Sequence, residues 1–94
     1  MTEQEIKSII HLAINDNFEL QGSDEKASDD TVLFGSNSSI DSLGFVNIIV
    51  GVENQLKERN IDISLVSEKA MSRKNSPFKT VKTLVEFIQE EIEQ

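Results

Sequence analysis

The chain has 94 residues, with nine Lys and Arg against 17 Asp and Glu for a formal charge of −8, and 37% hydrophobic residues with five Phe and neither Trp nor Tyr. At this length a single domain over 1–94 and one modest, mostly aliphatic core are all that can be built, burying roughly 60 to 70% of the surface the unfolded chain exposes. The negative charge repels a phosphate backbone and argues against nucleic acid, favouring a basic partner surface, while the absence of Cys removes disulfides, thiolate metal sites and a Cys nucleophile, and the lone His11 cannot build a histidine metal cluster.

The first predicted helix opens on Thr2-Glu3-Gln4-Glu5, a capping box in which hydroxyl and carboxylate satisfy orphan amides, and so begins near Glu3. Ile6, Ile9, Ile10, Ala13, Ile14 and Asn17 then recur at spacings of three and four, one stripe on a helix ending around Asn17 to Leu20. His11 and Asp16 fall off the stripe, and His11 is expected as an exposed surface histidine.

From Gln21 to Ile40 the sequence is polar and loses its period, a long loop in which Val32-Leu33-Phe34 is an apolar knot that should pin the loop to the core. Its carboxylates Asp24, Glu25, Asp29 and Asp30 lack the alternating ligands and central Gly of an EF-hand and read as a solvated acidic loop.

A second helix is predicted from about Ser42 to about Glu58, with Asp41-Ser42 supplying side-chain oxygens at its start and Asn60 able to end it in the left-handed conformation. At about 100° per residue, Phe45, Ile48, Ile49, Val52 and Leu56 form a core stripe. Leu43, Val46 and Val50 fall on the other side, either covered by loop residues such as Val32 and Phe34 or exposed as a binding patch. Ile61-Asp62-Ile63 reads as an extended connection with both Ile side chains inward, and Ser67-Glu68-Lys69-Ala70-Met71 as a short third helix before the basic break Arg73-Lys74-Asn75-Ser76-Pro77. Thr80 caps a last helix carrying Val81, Leu84, Val85, Ile88 and Ile92, with Phe87 beside the stripe. Three longer helices and a short one, joined by one long and one medium connection, make an all-α four-helix bundle.

No stretch approaches the roughly 18 to 20 apolar residues of a membrane-spanning helix, and the acidic start differs from the basic, then apolar, opening of a signal peptide. The expectation is a cytoplasmic monomer without membrane insertion. Ser42 as a catalytic nucleophile would need a base, and His11 sits on another helix with no evident orienting partner, so no catalytic residue is assigned and the chain is not expected to be an enzyme. As helix caps alone, Asp41 and Ser42 carry no chemistry. A phosphate ester on Ser42, however, would meet unsatisfied backbone amides and the positive end of the helix dipole.

Leu33-Phe34-Gly35 followed by Ile40-Asp41-Ser42-Leu43-Gly44-Phe45-Val46 resembles the attachment motif of the acyl and peptidyl carrier proteins, and the order of the later segments is similar as well, so that nearly the whole chain is covered. The resemblance implies that Ser42 accepts a phosphopantetheine arm from coenzyme A through a phosphopantetheinyl transferase. It also implies that the arm's thiol carries acyl groups between ligases, synthases or acyltransferases with basic docking surfaces, and that Asp41, Leu43, Val46, Val50 and Glu53 meet those partners. Asn47, Asn54 and Gln55 stand among the helix's polar positions, where fatty-acid-synthesis carriers are acidic, which points to a specialised fatty-acid, polyketide or related pathway. The alternatives are a stand-alone aminoacyl carrier and, from another class, an unmodified helical interaction module gripping a partner helix.

Overall fold

A computed structural model describes residues 2–33, 40–65 and 77–93, the Glu93 side chain excepted. Among the described residues the chain is all-helical, with α1 over Glu3–Leu20, α2 over Ser42–Glu58 and α3 over Val81–Glu93, and with no strand. The short helix expected over Ser67–Met71, like Phe34 and Gly35, lies outside the described residues.

The α1 start is the capping box expected. Thr2 Oγ1 accepts the Glu5 N–H at 3.2 Å and Glu5 Oε1 accepts the Thr2 N–H at 3.1 Å. At the other end Gly22 takes φ +74°, its N–H bonding the Glu19 carbonyl while the Ser23 N–H reaches back to Phe18. That is a Schellman motif, closed by the residue type that enters the left-handed region without steric cost. α2 ends the same way: Asn60, at φ 65°, bonds Lys57 and Ile61 bonds Leu56.

α1 packs against both α2 and α3. It buries Ile6, Ile9, Ile10, Ile14 and Phe18, α2 buries Ile48, Ile49, Val52 and Leu56, and α3 contributes Val81, Leu84, Val85, Phe87 and Ile88. Three expectations about this core need correction. Phe18, absent from the predicted stripe, is fully buried because it continues the line Ile10, Ile14 by one more step of four. Phe87 lies inside the core rather than beside it. Phe45 is only half-buried at the margin, where its ring meets Phe78 edge-to-face at 5.4 Å.

The loop after α1 is tied down at several points. Asn15 Oδ1 accepts the Ala27 N–H at 2.7 Å, and Leu33 is fully buried as the expected pin. Val32 forms an isolated antiparallel bridge with Thr80, and the carbonyls of Asp29 and Thr31 accept the Lys82 and Val81 amides. The loop thereby satisfies donors at the α3 start that its helix leaves without partners. Thr80 completes that end, its Oγ1 accepting the Thr83 N–H at 3.3 Å. On the α1 side Asp29 receives Lys7 Nζ at 3.1 Å and stands 3.4 Å from His11 Nε2. His11 is therefore half-buried against the loop rather than the exposed histidine expected. The Lys7 ammonium, hydrogen-bonded to Asp29, holds its carboxyl below the usual range, with the charges of Lys7 and His11 acting in the same direction.

Candidate functional site

The residue before α2, Asp41, is extended at φ −79° and ψ 175°, and its Oδ1 accepts the Gly44 N–H at 2.7 Å. Its carbonyl takes the Phe45 N–H at 2.8 Å and starts the helical ladder. Two donors of the first turn are thus satisfied, while the amides of Ser42 and Leu43 have no acceptor among the described residues. No acidic side chain stands within the first turn itself. Ser42, the first helical residue, is exposed. An anion esterified to its hydroxyl would find unpaired N–H groups and the positive end of the helix beside it, with the Asp41 carboxylate already engaged by Gly44.

The underside of this turn is set by α1. A side-chain carbon on Gly44 would lie 2.9 Å from Asn17 Nδ2, 3.0 Å from Asn17 Oδ1 and 3.0 Å from Asp41 Oδ1. Asn17 is 6% exposed, and its Nδ2 has no hydrogen-bond partner among the described residues. The absent side chain at 44 is what lets α1 and the α2 start approach so closely. Asn17 was legible as a stripe position, but its role under the Ser42 turn was not, because no local pattern links positions 17 and 44.

The second stripe of α2 is exposed: Leu43 by 71%, Val46 by 53% and Val50 by 49%. Beside it a groove of about 280 Å³ is lined by Phe45, Val46, Ile49, Val50, Glu53 and Ser64. Leu20, at the end of α1, is 85% exposed and lines a smaller groove of about 140 Å³ with Asn47 and Gly51. Of the residues expected to meet partners, Asp41, Leu43, Val46 and Val50 are exposed, whereas Glu53 is half-buried with Oε1 accepting the Leu65 N–H at 3.0 Å. Glu53 therefore anchors the segment after α2 to the helix, a role its place in the sequence does not disclose.

His11, placed against Asp29, has no bond to Ser42, and Ser42 has no hydrogen-bonded base among the described residues. Nor do the described residues contain a group of three or more His, Cys, Asp or Glu able to hold a metal ion. No described helix is long and apolar enough to cross a membrane. Comparison of the chain with protein-family models, with curated proteins and with solved structures finds no match.

Proposed function

We propose that this protein is an acyl carrier, a four-helix bundle of the acyl-carrier type with its short helix over Ser67–Met71, in which Ser42 bears phosphopantetheine. The observation that carries the reading is an exposed Ser42 at the capped start of α2, adjoining amides that have no acceptor among the described residues and the exposed stripe Leu43, Val46 and Val50. The motif Asp41-Ser42-Leu43, which resembles the carrier attachment site, supports the same assignment.

In the modification Ser42 Oγ forms a bond to the phosphorus of coenzyme A that carries the pantetheine arm. The pyrophosphate bridge breaks, adenosine bisphosphate leaves, and the hydroxyl proton passes to a base on the transferase. Once attached, the arm supplies a terminal thiol on which acyl groups travel as thioesters. The protein's own residues present the hydroxyl, receive the phosphodiester at the helix start and offer α2 to partner enzymes. The groove beside Val46 and Ile49 gives a carried chain an apolar surface to lie along. The chain acts as substrate and shuttle, without activity of its own, in the cytoplasm. Neutral Asn47, Asn54 and Gln55 on α2 favour a specialised pathway over the housekeeping one.

The test is incubation of the unmodified protein with coenzyme A and a broad-specificity phosphopantetheinyl transferase, followed by intact mass measurement. One added phosphopantetheinyl group, absent in Ser42→Ala, is the expected result. No gain by the folded wild type overturns the proposal and leaves α2 as the face of an unmodified interaction module.

A further inference from the structure

Ser42, Val46, Ile49 and Glu53 follow one another at spacings of four, three and four, so they fall along one line of α2. Glu53 is eleven residues beyond Ser42, about 16 Å of helix. Val46, Ile49 and Glu53 also line the groove of about 280 Å³, together with Phe45, Val50 and Ser64. Ser64 precedes Leu65, whose N–H is accepted by Glu53 Oε1 at 3.0 Å, so both polar residues of the groove stand at the end remote from Ser42. The rest of the lining is apolar.

From Ser42 Oγ to the sulfur of a phosphopantetheine arm there are about fourteen bonds, which at the roughly 1.1 to 1.2 Å per bond of an extended chain span about 16 Å. An arm laid along this line brings its thioester level with Glu53. Glu53 is half-buried, and among the described residues its side chain accepts one hydrogen bond, through Oε1. Oε2 is left to take another donor. A plain alkyl group seated there would strip water from the carboxylate and give nothing back, whereas a hydroxyl close to the thioester would donate to Oε2. A cation is less suited: Lys57, one turn further on and exposed on the same side, already offsets the Glu53 charge and would repel a second ammonium.

We propose that Glu53 selects the carried group: the groove favours a hydroxyacyl cargo, whose hydroxyl donates to the Glu53 carboxylate, over a plain acyl or aminoacyl cargo of the same length. The inference rests on the carrier reading and names the cargo class for it. Val46 and Ile49 give the arm apolar contact whatever it carries, and the carboxylate at the far end discriminates.

The test loads the full chain at Ser42 with a broad-specificity phosphopantetheinyl transferase and three coenzyme A thioesters, butyryl, 3-hydroxybutyryl and 3-aminobutyryl. Wild type and Glu53→Met are compared, the substitution keeping side-chain length while removing the carboxylate, with circular dichroism confirming the fold. Cleavage of each thioester by hydroxylamine is followed by intact mass. Taking each cargo as the ratio of its rates on the two proteins cancels its intrinsic reactivity and any change of the groove common to all three. Protection by the wild type should be about twofold to fivefold greater for 3-hydroxybutyryl than for the other two, as one hydrogen bond to a half-buried carboxylate allows. On the wild type alone, nuclear magnetic resonance should show the Glu53 and Leu65 amides shifted in the 3-hydroxybutyryl form relative to the butyryl form. Equal protection of all three cargoes, greater protection of butyryl or 3-aminobutyryl, or the absence of those shifts would each overturn the proposal while leaving a loaded carrier. Failure of every thioester to load Ser42 would overturn the carrier reading and this inference with it.

Discussion

Replacement of Gly44 by Ala sets two ordinary expectations against each other. Intrinsic helix propensity favours Ala by up to about 1 kcal/mol. Packing opposes it, since the new carbon would stand 2.9 to 3.0 Å from the Asn17 carboxamide and from Asp41 Oδ1. Relief requires a shift of several tenths of an ångström. Asn17, 6% exposed, can yield only by rearranging its buried site, and Asp41 can move only by loosening its 2.7 Å bond to the Gly44 amide. Overpacking of this kind costs about 1 to 3 kcal/mol and a weakened cap about 1 kcal/mol more, so Gly44→Ala should destabilise by about 1 to 3 kcal/mol after the propensity gain. Asn17→Ala removes two of the three close contacts together with a buried donor that has no partner among the described residues, leaving the new methyl only its contact with Asp41 Oδ1. Gly44→Ala should then cost clearly less than it does in the wild type. Urea unfolding of the four proteins, followed by far-ultraviolet circular dichroism, gives the coupling directly, with an expected size above about 1 kcal/mol. A Gly44→Ala protein that is more stable than wild type, or a cost that is the same with and without Asn17, would refute the steric account.

Val46→Glu and Val50→Glu should leave the helical signal and the unfolding midpoint nearly unchanged, since both side chains are exposed; loss of structure in either would place their stripe in the core. At the end of α2, Asn60→Gly should be neutral or slightly stabilising at its φ of 65°, whereas Asn60→Val should cost about 1 to 2 kcal/mol, and equal stabilities in urea would contradict the left-handed cap. The Asp29 carboxyl should titrate below the ordinary value of about 3.9, and Lys7→Met should raise it, both read by nuclear magnetic resonance. A lowered folded-state value means stabilisation that is present above the unfolded value and lost as pH falls through the folded one. The advantage of wild type over Lys7→Met should accordingly exist at neutral pH and vanish in strong acid, and an advantage that persists there would be inconsistent with the ion pair.

The bounds of α1 and α2 were legible because their signals are local: a capping box, an Asp cap, an Asn at the far end and apolar residues at helical spacing. The junction of Val32 with Thr80 was not, because each residue looks unremarkable in its own neighbourhood and the pairing spans almost fifty positions. Helical spacing puts Leu43, Val46 and Val50 on one face but does not say whether that face is covered, since the answer depends on where a loop without period runs. Phe18 is one step of four beyond Ile14, so the same spacing that marks the stripe reaches it at the end of the helix. At the site, the hydroxyl, its cap and the apolar neighbours of Ser42 were all readable, whereas the Asn17 contact and the engagement of Glu53 with Leu65 required three dimensions.

The position of α1 as the element on which both α2 and α3 pack sets a condition on biosynthesis. α1 leaves the ribosome first, and about sixty residues separate its end from the start of α3. At 5 to 20 residues per second, roughly 3 to 12 s pass before α3 can reach it. During that interval Ile6, Ile10, Ile14 and Phe18 can be covered only by α2 and by connecting residues such as Leu33, Ile40 and Leu65, so the nascent chain displays an incomplete core to any chaperone near the exit tunnel. Closure of this core waits on α3.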